Sequence, residues 1–159
     1  GTSDKNLGVS LGSGEVTPLG SITSAGGSVT VTGQGGASPG EKNSGVIVDG
    51  GTTIRAGSGG AVSVTGTGDT SAGLATKADN VGVLVDGGTI EAENAALTVT
   101  GTGGQGDGGG NHGVIVDNDS NVSRIRGIGT ATVTVRGDGG TSQGAISVGN
   151  VGVLVLREH

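Results

Sequence analysis

Residues 80–101 read NVGVLVDGGTIEAENAALTVTG, and this stretch decides the fold. It contains three short runs in which apolar and polar residues alternate, separated by glycine, asparagine and aspartate. Alternation with a period of two, bounded by turn residues, predicts short β-strands. The runs are rich in valine, isoleucine and threonine, the residue types that pack well in strands. The stretch therefore predicts three strands and no helix.

The same pattern recurs along the 159 residues. The phrase Asn-x-Gly-Val begins at Asn6, Asn43, Asn80, Asn111 and Asn150. A Thr-rich phrase such as LTVTG at 97–101 follows each of the first four copies. A three-strand unit cannot bury its apolar side alone, but stacked units form a continuous core. The repeat predicts an all-β fold, a parallel β-solenoid of about four coils with three short strands per coil.

The repeat divides the chain into coils that each begin at an Asn-x-Gly-Val phrase. The coils span residues 6–42, 43–79, 80–110 and 111–149, with a partial coil at 150–156. A Gly-rich insert precedes each new phrase, as at residues 67–79, and we expect all variation in coil length to fall in these inserts. Residues 1–159 are interpreted as one solenoid fragment of a longer repeat protein.

Stacking places equivalent side chains in rows at the strand spacing of about 4.8 Å. The chain has no Phe, Trp, Tyr, Met or Cys, so identical aliphatic side chains must fill these rows and no disulfide staples them. The predicted inward rows are Val46, Val83, Val114 and Val153; Val48, Val85, Val116 and Val155; Val31, Val64, Val99 and Val135; and Ile54, Ile90 and Val122.

The phrases Asn-x-Gly-Val-(Ile/Leu)-Val-Asp and Thr-Val-Thr-Gly-Thr-Gly resemble the β-helical shafts of filamentous-haemagglutinin-like adhesins and autotransporter passengers. The resemblance covers about residues 6–156. It implies a right-handed parallel β-helix, secreted through the outer membrane to the bacterial cell surface. It also implies a structural or adhesive shaft in adhesion, biofilm or surface attachment, not an enzyme. The implied partners are neighbouring repeats of the parent chain and a host, carbohydrate or abiotic surface.

Charge and hydropathy exclude two partner classes. The formal net charge is −6, and the eight Lys and Arg residues are scattered, so no basic patch for a phosphate backbone is expected. No apolar run approaches the roughly 18 residues that a membrane-spanning helix needs. We therefore expect neither a nucleic-acid partner nor a membrane span.

Asparagine recurs where each coil begins, and stacked Asn amides can hydrogen-bond from coil to coil. We predict a structural ladder formed by Asn43, Asn80, Asn111 and Asn150, continued by Asn6.

Asp49, Asp86 and Asp117 would form a row of carboxylates about 5 Å apart. The favoured interpretation is that each Asp starts a turn by accepting backbone N–H bonds, with Gly-Gly following Asp49 and Asp86. The alternative is a calcium site bridging the row. No other metal and no cofactor is predicted.

Two outward rows are candidate binding surfaces. The Thr-rich strands present hydroxyls that form either an ordinary exposed β-surface or an ice-binding face. The candidates are Thr30, Thr32, Thr65, Thr98 and Thr100, with Ser63 in the same array.

The Asn-Gly-Val strands present an apolar row of Ile47, Leu84, Ile115 and Leu154. We expect the inserts to cover this row through Leu74 or Ala75, with a partner molecule as the alternative.

Coil 4 holds the densest polar cluster of the chain, namely His112, Asp117, Asp119, Arg124 and Arg126. Carbohydrate-cleaving enzymes use paired carboxylates, so a polysaccharide-acting enzyme is a rival hypothesis. These residues are interpreted as solvated loop residues, and no catalytic residue is assigned. Open sheet edges at both ends of a solenoid fragment predict end-to-end self-association.

Overall fold

A computed structural model describes residues 4–12, 20–71, 77–118, 121–141 and 149–157. These residues contain thirteen short β-strands and no helix. The strands are β1 (Val9–Leu11), β2 (Ser21–Ser24), β3 (Val29–Gln34), β4 (Val46–Asp49), β5 (Thr53–Ala56), β6 (Val62–Thr67), β7 (Val83–Asp86), β8 (Thr89–Glu93), β9 (Leu97–Thr102), β10 (Val114–Asp117), β11 (Arg124–Ile128), β12 (Val133–Asp138) and β13 (Val153–Val155).

The strands form three parallel sheets that run the length of the molecule. Sheet A has the order β1-β4-β7-β10-β13, sheet B β2-β5-β8-β11, and sheet C β3-β6-β9-β12. Each strand pairs with the strand three places further along the chain, so every full coil gives one strand to each sheet. The predicted parallel β-solenoid of about four coils, with three strands per coil, is confirmed.

The interior is a thin column of stacked aliphatic side chains. Val46 pairs in register with Val83, and Val83 with Val114, and all three are completely buried. The same row ends at Val153, which is 40% exposed because β13 is the last strand of sheet A. Burial is therefore deepest in the middle coils.

One predicted core residue is wrong. Val122 is 58% exposed. Ile125 takes its place, pairing in register with Ile90 and packing against the core. The reason is the connection between β10 and β11, residues 118–123, which is longer than the connection at residues 87–88 one coil earlier. The inward residue of coil 4 therefore lies further along the chain than the repeat predicts.

The expectation that all length variation lies in one insert is also wrong. The connections from sheet C to sheet A vary as expected, from residues 103–113 to residues 68–82. The connections from sheet A to sheet B vary as well, and they are residues 12–20, 50–52, 87–88 and 118–123. Only the corner between sheets B and C keeps a nearly constant length, three to five residues.

The two repeated phrases meet at the corner between sheets C and A. A Cβ atom on Gly101, at the end of the Thr-rich strand, would overlap the carbonyl oxygen of Gly113 in the next Asn-x-Gly-Val phrase. The pairs Gly33 with Gly45, Gly66 with Gly82, and Gly137 with Gly152 make the same contact. Glycine recurs in both phrases because the backbones touch there.

Among the described residues, none belongs to a helix that is long and apolar enough to cross a membrane.

Candidate functional site

The asparagine ladder lies inside the solenoid, at the corner where each coil begins. The backbone N–H of Asn43 donates to Asn80 Oδ1 at 2.9 Å, and that of Asn80 donates to Asn111 Oδ1 at 3.1 Å. Asn6 and Asn150 continue the series at its two ends. Asn43, Asn80 and Asn111 have no exposed surface. The ladder is therefore placed to hold coils together and not to contact a ligand.

The side-chain amides of the ladder also bind the inserts. Asn43 Nδ2 donates to the carbonyl oxygen of Gly40 at 2.8 Å, and Asn111 Nδ2 donates to that of Gly108 at 2.7 Å. Each Asn thus satisfies backbone groups that a buried turn would otherwise leave unpaired.

The outer face of sheet A carries a groove of about 510 Å³. Its floor is the predicted apolar row, Ile47, Leu84, Ile115 and Leu154, whose members pair in register along the solenoid axis. These four side chains are half-buried. Beside them lies a second row, formed by Leu7, Ser44, Val81 and His112. The floor is thus apolar over most of its length.

One wall of the groove is the aspartate row. Asp49 pairs in register with Asp86, and Asp86 with Asp117. The Asp-Gly-Gly turn is closed by the backbone carbonyl of Asp49, which accepts hydrogen bonds from the Thr52 N–H at 3.1 Å and the Thr52 hydroxyl at 2.7 Å. Asp49, Asp86 and Asp117 all line the groove.

Calcium at this row stays a prediction. No group of three His, Cys, Asp or Glu side chains within the described part of the chain is arranged to hold a metal ion.

The opposite wall consists of charged side chains on strained backbone. Lys5, Lys42 and Asp79 line the groove and have φ of 60°, 59° and 54°, in the left-handed region that non-glycine residues rarely adopt. The coil-to-coil hydrogen bonds from Lys5 to Glu41 and from Lys42 to Ala78 hold this conformation. This wall changes charge along the axis, because Lys5 and Lys42 stand directly before coils 1 and 2 whereas Asp79 stands directly before coil 3.

The groove is bounded by side chains of the coil rows themselves. Its lining residues come from four in-register rows, and no described residue from the middle of an insert is among them. Leu74 and Ala75, the expected cover, lie outside the described residues.

The outer face of sheet C is a grid of small polar side chains. The two predicted rows are Thr30, Ser63, Thr98 and Thr134, and Thr32, Thr65, Thr100 and Arg136. Sequence reasoning missed a third row, Gln34, Thr67, Thr102 and Asp138, because a glycine before each residue suggested that the strand had ended. Nine of these twelve positions carry a hydroxyl.

On sheet B, the polar face is an ion-pair ladder. Glu91 lies in register between Arg55 and Arg126 and is only 4% exposed. Its carboxylate accepts from Arg126 Nε at 2.9 Å and lies 3.2 Å from Arg55 Nε. The two guanidinium groups cover Glu91, so this face is internally paired.

The polar residues of coil 4 do not form one cluster. His112 and Asp117 line the groove on sheet A, whereas Arg126 is bound to Glu91 on sheet B. Arg124 is exposed at the start of β11, and Asp119 lies outside the described residues.

The second insert contains a buried ion pair that no sequence pattern predicts. Lys77 Nζ lies 2.6 Å from Asp69 Oδ2, and the two side chains are 2% and 1% exposed. Asp69 also accepts the backbone N–H groups of Ser71 at 2.7 Å and Ser38 at 3.2 Å. The pair therefore ties the second insert to the first.

Opposing effects set the pKa of Asp69. Burial raises it, but hydrogen bonds from Lys77, Ser71 and Ser38 together outweigh burial and hold the pKa below its usual value of 3.8. The carboxyl group is therefore ionised at neutral pH.

Comparison of the chain with protein-family models, with curated proteins and with solved structures finds no match.

Proposed function

We propose that this chain is a structural and adhesive shaft segment of a secreted or cell-surface bacterial repeat protein. The observation that supports this most directly is the unbroken register of three parallel sheets along all the coils. Every coil is joined to the next by backbone hydrogen bonds on three sides and by the asparagine ladder. Such a column resists bending and holds its side faces at fixed positions.

The stiffness of the shaft is open to a direct test. The chain has no cysteine, so Thr30→Cys and Thr134→Cys, both outward on sheet C, provide unique sites for two spin labels. Three coil steps separate their Cα atoms, about 14 Å. Dipolar coupling should give one narrow distance distribution. A broad distribution, as in a flexible chain, would contradict a rigid shaft.

The adhesive role can be tested by measuring which face of the solenoid is needed for attachment to a surface. Beads coated with the chain are challenged with host-matrix, polysaccharide and abiotic surfaces under flow. One outward substitution per face, Ile115→Lys on sheet A, Thr53→Lys on sheet B and Thr100→Lys on sheet C, serves as a matched set. We expect one variant to lose retention while the other two keep it. Wild-type retention no greater than that of uncoated beads would rule out the adhesive role but leave the stiffness result standing.

A shaft segment should also stack end to end. The last coil exposes aliphatic side chains that point inward elsewhere, with Val153 40% and Val155 68% exposed. We expect the sedimentation coefficient to rise with concentration. Val155→Lys should reduce this association, and Thr65→Lys, which adds the same charge on a side face, should not. Equal association in both variants would argue against stacking through the coil end.

A second candidate function is ice binding by sheet C. The observation that favours it is the third row, which extends the hydroxyl grid to three columns spaced about 4.8 Å across strands and about 6.6 Å along them. A flat, regular hydroxyl grid can order water on one plane. Thermal hysteresis should be measurable and should fall in Thr65→Lys or Thr100→Lys, but not in Thr53→Lys on sheet B. Absence of hysteresis in the wild-type chain would remove this candidate.

A further inference from the structure

We propose that the groove on sheet A binds an amphipathic α-helix of a partner protein. The aliphatic side chains of the helix would lie over the row from Ile47 to Leu154, and Lys or Arg side chains on one flank would face Asp49, Asp86 and Asp117. This site is separate from the shaft role and depends only on the groove.

The composition of the groove selects an amphipathic ligand. Its floor is apolar and its rims are charged, the arrangement by which helix-binding grooves receive one apolar helix face. Within the described residues, the carboxylates of Asp49 and Asp117 make no hydrogen bond or ion pair. A volume of about 510 Å³ is enough to receive side chains from a partner, since ordinary ligand clefts measure about 300–1,000 Å³.

Spacing distinguishes a helix from an extended strand. Floor residues recur every coil, about 4.8 Å apart. A helix lying along the solenoid axis presents one apolar side chain per turn, every 5.4 Å or so, and over three steps it departs from the coil spacing by only about 2 Å. Same-face side chains of an extended strand recur roughly every 6.7 Å and would be about one whole coil out of step over the same length. The rows therefore fit a helix of three to four turns.

Charge along the groove sets the direction of the helix. The acidic side chains are Asp49, Asp86 and Asp117 on one wall, in coils 2, 3 and 4, and Asp79 on the other wall, directly before coil 3. Near coils 1 and 2 one wall carries Lys5 and Lys42. Because a helix N-terminus bears partial positive charge and its C-terminus partial negative charge, the N-terminus should lie over coil 4.

Synthetic peptides test the proposal against the full chain by fluorescence anisotropy. The probe is a helical peptide with one Leu per turn and Lys along one flank. Its two controls are a twin with Glu in place of Lys and a peptide of the same composition in an alternating, strand-forming order. We expect the probe to bind at least about tenfold more tightly than either control and to weaken with added salt. No binding by the probe, or equal binding by either control, would overturn the proposal.

Variants locate the site. Ile115→Lys places a charge on the groove floor and should weaken probe binding by about tenfold or more, whereas Thr100→Lys on sheet C should leave it unchanged. If Ile115→Lys fails to fold, the double variant Asp49→Asn with Asp117→Asn removes wall charge without altering packing and should weaken binding several-fold. Binding that none of these groove substitutions alters would overturn the assignment.

A photo-crosslinker on the peptide N-terminus tests direction. It should label residues near Leu154 and Leu156, and labelling near Leu7 instead would overturn the predicted orientation.

Discussion

At the scale of single residues, the molecule depends on a few buried polar side chains. Asn43, Asn80 and Asn111 each accept a backbone N–H from the coil before and have no contact with solvent. Asp69 and Lys77 form a buried ion pair in an insert. Because buried polar groups stabilise a fold only when all their partners are present, substitutions at these positions should be costly.

Replacing Asn80 by alanine should remove one rung of the ladder. The Asn43 N–H would lose its acceptor, whereas Asn111 Oδ1 would lose only the side-chain donor of Asn80 and keep the backbone N–H of residue 80. Since an unsatisfied buried group costs about 1–3 kcal/mol, we expect the free energy of unfolding to fall by about that amount. Urea denaturation followed by circular dichroism measures the change.

The control is Asn94→Gly. Asn94 also accepts a coil-to-coil hydrogen bond, from the Thr130 N–H at 3.1 Å, but it is exposed, so water can replace that bond. Its φ of 56° is one that glycine adopts without strain. Its stability should stay within about 1 kcal/mol of wild type. If Asn80→Ala is no less stable than Asn94→Gly, the ladder contributes nothing to folding.

Stability should depend on pH through Asp69. Its pKa is lower in the folded chain than the usual 3.8, so the unfolded chain binds the proton first as pH falls. The stability due to ionised Asp69 is present above about pH 4 and is lost as pH falls through the folded pKa. The free energy of unfolding should therefore decline more steeply from about pH 5 to pH 2 in wild type than in Asp69→Asn. Parallel slopes would contradict a lowered pKa.

Lys77→Met tests the same ion pair by removing the cation that faces Asp69. It leaves a buried carboxylate without its cation, which costs about 3–5 kcal/mol at neutral pH. The deficit should shrink in acid, because the protonated carboxyl no longer needs a counter-charge. A deficit that is constant with pH would show that lost packing, and not charge, is responsible.

At the scale of strands and connections, the repeat made most of the fold predictable. Alternation, turn residues and the recurring Asn and Gly identified the strands and their stacking. The predictions that failed depended on connections. The repeat predicts Val122 in the core, but Ile125 takes that position because the connection at 118–123 is longer than its counterpart. The Lys77–Asp69 pair could not be foreseen, because inserts share no spacing from which to infer contacts. The groove floor was predicted, whereas its Lys5, Lys42 and Asp79 wall depends on φ values that no pattern signalled.

Because backbones touch at the corner between sheets C and A, replacing Gly101 by alanine should destabilise the fold much more than replacing Gly26. In Gly101→Ala the new methyl group would overlap the Gly113 carbonyl oxygen, which belongs to the backbone and cannot rotate away. We expect a loss of about 1–3 kcal/mol in the free energy of unfolding. Gly26→Ala is the matched control, since its Cβ would meet only the Ser58 carbonyl oxygen at 3.6 Å. Thermal and urea denaturation of both variants distinguish close backbone contact from a general preference for glycine.

At the scale of the whole molecule, stability is arranged along one dimension. Each coil contacts only its neighbours, so terminal coils lose one set of contacts. Core side chains of coils 2 and 3 are completely buried. Val133 and Val153, nearer the C-terminal end of the column, are about 40% exposed. The middle of the column should therefore open least often.

Amide hydrogen exchange should follow this gradient. We expect the slowest exchange in β7, β8 and β9 and the fastest in β1 and β13, because opening an end coil breaks fewer contacts. Mass spectrometry of peptides from each coil measures the rates. Uniform protection along the chain would indicate that the solenoid unfolds only as a single unit.

The unequal corners of the coil have a consequence for protein engineering. Connections from sheet C to A and from A to B differ in length from coil to coil, yet every strand keeps its register. A foreign peptide spliced into either corner would be displayed without shifting the column, whereas the short, nearly constant corner between sheets B and C should reject it. Grafts at equivalent corners of successive coils would stand about 4.8 Å apart along the axis, which makes the molecule a scaffold for closely spaced peptide arrays.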